Sequence, residues 1–265
     1  MWLGTQAALL GESGLKANEI KAYSRKVVII PSCHNTKQLV EVIGNFQENT
    51  VNEICIVIDC ANKSDLQQVE NAAFKNRIPI HVINSQKRRG VGVAIRDGIE
   101  YALNNKYDIA VVMAGNGKDK PREIPRLLIP ILSEDFDYVQ GSRFLPGGKP
   151  VKTPFLRGMF SRLFPFVWTL LTSKRCTDVT NGFRAYKLNI FYDKHINIQQ
   201  GWLDGYQFEY YLHYKVLTLG YKVKEVPVSK VYYFRNRGGY SNISPLRDWW
   251  KIVGPLVYLK LGIKQ

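Results

Sequence analysis

IAVVMAGNGKDKPRE, running from Ile109 to Glu123, decides how the rest of this 265-residue chain is read. Ile109–Met113 is a short apolar, β-branched run of the kind that fills a buried parallel strand. Ala114-Gly115-Asn116-Gly117 breaks it with small residues that let the backbone turn sharply. Pro121 and Glu123 then open a helix predicted to reach Leu132, with Pro130 as a point where it kinks or stops. Strand, small-residue turn and helix N-terminus in succession make a place where an open α/β sheet holds a phosphate-bearing ligand. The other reading of this segment is an ordinary strand-to-helix connection.

Upstream, strands and helices alternate. Strands are predicted at Lys26–Pro31, Glu53–Asp59 and Ile78–Asn84, and a later one at Tyr138–Gly141. Helices are predicted at Thr36–Asn45, Leu66–Lys75 and Gly92–Asn104. Strands separated by helices imply a mainly parallel sheet covered on both faces. Ser32, Asp59 and Ala114–Asn116 then lie at the carboxyl ends of their strands, which share one edge and one crevice. Asp59 ends an otherwise apolar strand. It is a turn or helix cap, or a contact to a base or ribose, and the shared edge favours the contact. The turn Lys87-Arg88-Arg89-Gly90-Val91-Gly92 follows the third strand, not the first, and lacks the third glycine of a dinucleotide fingerprint. A nicotinamide cofactor is therefore excluded; the basic cluster faces a diphosphate or is a solvated turn.

Composition bounds the function classes. The chain is 45% hydrophobic and 22% charged, which is globular and not disordered. A net charge of +15 points to an anionic partner: a nucleotide, a phosphate, an acidic membrane surface or nucleic acid. No recognised nucleic-acid-binding module accompanies that charge, so nucleic acid is not expected as a partner. The four cysteines form no CxxC pair and are expected to be reduced and mostly buried, in a cytoplasmic setting. Residues 1–25 carry no signal-peptide pattern, and no segment reaches the roughly eighteen apolar residues of a spanning helix.

Several motifs resemble the family 2 glycosyltransferases of the GT-A fold, and within them the dolichyl-phosphate mannosyltransferase-like branch. The resemblance covers about residues 26–242. VVIIPSCHN (27–35) resembles the opening strand with its Pro-x-Tyr-Asn-Glu, although Cys33, His34 and Asn35 replace the last three residues. ICIVIDCANKSD resembles the segment whose first aspartate contacts the donor nucleotide, here Asp59; Cys60 stands where a second aspartate is usual. RGVGVAIRDGI (89–99), GSRFLPGG (141–148), DVTNGFRAYK (178–187) and Glu225-Val226-Pro227-Val228 with Gly239-x-Ser241 extend the match. The implied donor-binding set is Pro31, Ser32, Asp59, Arg89, Gly90, Ala114, Gly115 and Asn116. Asp178–Arg184 matches a loop that closes over the donor and orients the sugar, which puts Asp178 and Arg184 among the candidate catalytic residues.

The main departure lies in the opening stretch. The family carries Asp-x-Asp with a glutamine two places on, and binds Mg²⁺ or Mn²⁺ with the sugar diphosphate. Here Ala114, Asn116 and Lys118 occupy those positions. Losing two carboxylates weakens a site for a hard divalent ion, leaving Asn116 and Asp119 as the candidate ligands. Asp119 also reads as a helix N-cap. Lys118 is the candidate to replace the cation's charge, in which case transfer is metal-independent.

The second half reads as the acceptor side. The branch pattern places an acceptor phosphate on Arg143, Arg157 and Ser161. Arg235 is added to that set from its own surroundings, a glycine-rich loop able to fold over an anion once it binds. Guanidinium suits this task because it is permanently charged and grips two phosphate oxygens. Leu163–Leu171 is either core or an apolar surface resting at the bilayer edge. Leu246–Ile263, with Trp249, Trp250, Tyr258, Lys251 and Lys260, fits an interfacial helix. The expected organisation is an N-terminal extension over 1–25, a GT-A domain over 26–242 and an amphipathic segment over 243–265. The expected function is sugar transfer from a nucleotide sugar to a polyprenyl phosphate, with inversion, at the cytoplasmic face of a membrane. A transferase acting on a sugar hydroxyl, with Asp178 or Glu209 as base, and a non-catalytic nucleotide-sugar-binding relative remain open.

Overall fold

Val27, Val28, Ile29 and Ile30 are entirely shielded from solvent, and they form the centre of the sheet. The computed structural model describes residues 24–232 and 249–264. Strand β1 (Lys26–Cys33) runs parallel between β2 (Glu53–Asp59) and β4 (Ile109–Val112), with β3 (Ile80–Ser85) outside β2. Beyond β4 lie β7 (Arg184–Lys187), β5 (Tyr138–Ser142) and β8 (Val223–Pro227), giving the order β3-β2-β1-β4-β7-β5-β8. Only β7 runs against its neighbours, so the sheet is mainly parallel, as the alternation of elements predicts.

Side chains alternate across β1 with the period of two that a strand imposes. Val27 and Ile29 pack on one face with Ile95 and Ile99 of α3 (Val91–Asn104) and Phe208 and Leu212 of α6 (Gln207–Thr218). Val28 and Ile30 pack on the other with Leu39 and Ile43 of α1 (Thr36–Gly44), Val69 of α2 (Lys63–Lys75) and Leu127 and Ile131 of α4 (Ile124–Ser133). Helix α2 starts three residues earlier than its apolar period suggests. Asn62 accepts from the Asp65 amide while the Asp65 carboxylate accepts from the Asn62 amide, a capping box that opens the helix. A single 3₁₀ turn, Pro121–Glu123, precedes α4, and Pro130 lies inside that helix without ending it.

Helix α5 (Phe155–Thr172) has two apolar faces with different fates. Phe164 and Trp168 are core, packed with Val179, Tyr210 and Leu256 of α7 (Trp249–Lys260). Phe155, Met159, Leu163, Phe166 and Leu170 are exposed along the opposite stripe. Leu163–Leu171 therefore divides by helical period into core and exposed apolar surface. The expected interfacial segment extends partly outside the described residues, which resume at 249. Within it, Leu256 and Leu259 are buried, while Leu261 and Ile263 are exposed. No helix among the described residues is long and apolar enough to cross a membrane. A two-stranded ribbon, β6 (Lys149–Val151) with β9 (Ser229–Val231), completes the fold beside the carboxyl edge of the sheet.

Candidate active site

A cleft of about 610 Å³ opens at the carboxyl ends of β1, β2 and β4. Its walls bring together Pro31 and Ser32 from β1, Asp59 from β2, and Ala114, Asn116 and Lys118 from the turn after β4. Arg157 and Ser161 of α5, Glu209 of α6, and Lys230 and Tyr232 close the far side.

Asp59 anchors the basic turn. Its Oδ2 accepts from the backbone amides of Arg89 (2.8 Å) and Gly90 (3.1 Å), and its Oδ1 accepts from Arg89 Nε (3.2 Å). Arg89 also pairs with Asp97 at 2.7 Å. Within this turn Arg88 and Gly90 line the cleft, while the Arg89 guanidinium is held between two carboxylates. The glycines answer to backbone approach. A Cβ on Gly92 would meet the Leu203 carbonyl at 1.9 Å, and one on Gly90, whose φ is +110°, would meet the Asp204 carbonyl at 2.3 Å. That carbonyl accepts from the Gly92 amide at 2.9 Å and the Val93 amide at 3.3 Å. The first turn of α3 is thus capped by the 203–205 segment, so those two amides do not cradle a diphosphate.

The turn after β4 is held from both sides. Asp119 is almost wholly buried; its Oδ2 accepts from the Ala114 amide at 3.1 Å and its Oδ1 from Lys230 Nζ at 2.8 Å. Lys230 also donates to Asn181 Oδ1 at 2.9 Å. The Asn116 side-chain oxygen accepts from the Lys118 amide at 3.2 Å. Lys118 itself is buried, with its ammonium 5.6 Å from the centre of the Tyr232 ring. No carboxylate among the described residues lies within salt-bridge distance of it. Burial, and then the neighbouring charges of Lys230 and Arg157, push its pKa down to about 8.

Arg143 and Asp178 are spent on each other. Arg143 Nε and one terminal nitrogen each donate to Asp178 at 2.6 Å, and its amide donates at 3.0 Å. The remaining guanidinium contacts are Tyr232 Oη and Thr180 Oγ1, both at 2.6 Å. Asp178 is fully buried and does not line the cleft, which corrects its expected place among groups acting directly on substrate. Arg184 is likewise away from the cleft. It donates to the carbonyls of Asn181 (2.9 Å), Glu209 (2.5 Å) and Val179 (2.9 Å), so it braces the 178–184 loop from behind. A Cβ on Gly182 would meet Glu209 Oε1, the movable end of a side chain of α6, at 2.3 Å.

Residues 27–194 match the family model for glycosyl transferase family 2. The chain belongs to glycosyl transferase family 2. It is 28% identical to undecaprenyl-phosphate mannosyltransferase of Micrococcus luteus, over 78% of this chain and 84% of that one. It is 25% identical to polyprenol monophosphomannose synthase of Mycolicibacterium smegmatis, over 79% and 78% respectively. In fold it resembles the GT-A glucosyl-3-phosphoglycerate synthase of Mycobacterium tuberculosis, solved with Mg²⁺ and UDP. The TM-score is 0.67 at 14% identity, covering 94% of this chain and 84% of that one.

The residues of this family 2 glycosyltransferase do not fit a divalent metal after β4. A hard cation of this size needs several anionic or carbonyl oxygens. Here one carboxylate remains, both its oxygens are hydrogen-bonded, and one of those bonds is to an ammonium. Lys118, Lys230 and Arg157 surround the position with positive charge. Arg235, the last of the expected acceptor residues, lies outside the described residues. Gly115 and Arg89, expected at the donor, are not on the cleft wall. Among the contributors that escaped the motif reading are Lys230 and Tyr232. Nothing local marks them: they reach the cleft because the β9 Val231 amide donates to the Lys118 carbonyl at 3.0 Å, more than a hundred residues earlier.

Proposed function

We propose that this glycosyltransferase moves a sugar from a nucleotide sugar to a polyprenyl phosphate at a membrane surface, with inversion at the anomeric carbon. Helix α5 carries the argument. It presents Arg157 and Ser161 to the cleft, and on the opposite side it presents the exposed stripe Phe155, Met159, Leu163, Phe166 and Leu170. A lipid whose phosphate enters the cleft and whose chain stays in the bilayer needs both faces on one element. The named relatives act on undecaprenyl phosphate or polyprenol phosphate, which supports the same acceptor class.

In this reading Ser32, Asp59 and Asn116 face the donor, and Arg157 and Ser161 hold the acceptor phosphate. Arg143 positions Tyr232 and the 178–180 segment and does not grip the phosphate alone. A phosphate oxygen is anionic at neutral pH, so attack on the anomeric carbon needs alignment more than a general base. The leaving diphosphate needs its charge balanced, and Lys118 supplies a preorganised ammonium inside the cleft. We place the protein at the cytoplasmic face and its transfer as metal-independent. Glu209 on the cleft wall favours a second reading, a hydroxyl acceptor with that carboxylate as base.

The test is a screen of nucleotide sugars against undecaprenyl and dolichyl phosphates and simple sugars, with products read by mass. A glycosylated prenyl phosphate is expected. Product formed only on sugar hydroxyls moves the assignment to the second reading.

A further inference from the structure

Three side chains that can ligate a metal meet beside the cleft, whose wall includes Cys33 and His34. Cys33 ends β1, His34 follows it, and Cys60 lies one residue past β2. The strands are paired in register Cys33 with Asp59, so the two thiols come together across neighbouring strand ends. The two sulfur atoms and an imidazole nitrogen all lie within 4.8 Å of one another. The backbone is bent at two of the three. His34 has φ +56° and Cys60 φ +61°, left-handed conformations that non-glycine residues seldom adopt and that concentrate at functional sites. The second bend is pinned by the Cys60 amide, which donates to the Ser85 carbonyl at 2.8 Å. All three positions are also among those where the chain departs from the pattern it otherwise resembles: Cys33 and His34 in the opening motif, Cys60 in place of an aspartate.

We propose that Cys33, His34 and Cys60 bind a thiophilic divalent cation, Zn²⁺ by chemical class, with an open fourth position. Two thiolates and an imidazole form a soft donor set that selects Zn²⁺ over Mg²⁺ or Mn²⁺. Three protein ligands are the pattern of zinc sites that keep a fourth position for water or a substrate atom. Zn–S bonds of about 2.3 Å and Zn–N bonds of about 2.0 Å place tetrahedral ligand atoms about 3.5–3.8 Å apart. Binding requires the exposed His34 ring and the half-buried thiols to rotate into that spacing. The site is separate from the turn after β4, and its position at the nucleotide end of the cleft rests on the proposed function. The binding itself does not.

Co²⁺ titration of the reduced full-length chain, with no donor or acceptor present, tests it. One equivalent should produce a thiolate-to-metal charge-transfer band that Zn²⁺ abolishes. Cys33→Ser and Cys60→Ser should each remove the band, and His34→Ala, at an exposed position that does not threaten folding, should weaken affinity at least about tenfold. Zn²⁺ should raise the melting temperature of the wild type and not of the cysteine variants. No band at stoichiometric metal overturns the proposal. So does a band that survives in both cysteine variants, or a Cys33–Cys60 disulfide formed in air by a protein that takes up no metal when reduced. None of these outcomes bears on sugar transfer.

Discussion

Lys230 reaches Asp119 at 2.8 Å from a strand 111 residues away, and the carboxylate it meets is buried. The pair places a covalently attached cation beside the one carboxylate left in the turn where the family pattern carries a metal-binding Asp-x-Asp. Transfer by the wild type is therefore expected to persist in excess chelator. Lys118→Ala should lower turnover about a hundredfold, matching the loss of a transition-state contact of roughly 2.7 kcal/mol. Activity abolished by chelator and restored by Mn²⁺ would show that a metal is used after all.

With its pKa pushed down by burial, Lys118 is expected to make nucleotide binding pH-dependent. Below about pH 8 the ammonium is charged in the empty cleft, and above it the charge is lost. An entering diphosphate favours the charged form, so donor affinity should be flat from pH 6 to 7.5. It should then fall by up to about tenfold per unit above 8, with proton uptake on binding. Stability has the opposite sense: between about 8 and the unperturbed 10.5 the unfolded chain holds the proton that the folded one has lost, so this group makes folding more favourable as pH rises. Calorimetry with UDP or GDP in buffers of different ionisation enthalpy should report the uptake, and Lys118→Ala should abolish it. An unchanged pH profile in that variant would assign the effect to another group.

Arg157 and Arg143 should separate by their variants. Arg157→Ala is expected to raise the acceptor KM at least tenfold with little change in stability or donor binding. Arg143→Ala leaves the Asp178 carboxylate buried and unpaired, and should destabilise the fold by about 3–5 kcal/mol. Denaturant melts and acceptor kinetics on both variants decide it. An acceptor KM unmoved by Arg157→Ala would remove that residue from the phosphate site.

The exposed stripe of α5 should mediate binding to anionic vesicles. Each apolar side chain that enters lipid contributes on the order of 1.5–3 kcal/mol at most, so Leu163→Ser with Phe166→Ser should weaken partitioning at least tenfold. Binding should also decline with salt, because the basic surface is screened. Co-sedimentation measures both effects; wild-type protein that stays in the supernatant at low salt would contradict the membrane reading.

Much of this molecule was legible in short stretches of chain. The run Val27–Ile30, the alternation of strand and helix, and small residues at the strand ends imply a mainly parallel sheet with one functional edge. Each of these signals is local: β-branched runs, 3.6-residue periods and glycine turns act over a few residues. The motifs around Asp59, Gly90 and Asp178 likewise pointed to the family. Whether a side chain faces substrate or a neighbour is a different kind of fact. Asp178 and Arg184 read as catalytic, yet the fold closes them onto Arg143 and onto three carbonyls. The glycines at 90 and 92 read as a phosphate turn, yet they make room for the carbonyls of Leu203 and Asp204. Lys230 and the meeting of Cys33 with Cys60 depend on strand register across distant segments. Local sequence sets backbone preference and chemical character. Partner choice is decided only when the packed chain brings remote groups within hydrogen-bond distance, and burial raises the cost of leaving a polar group without one.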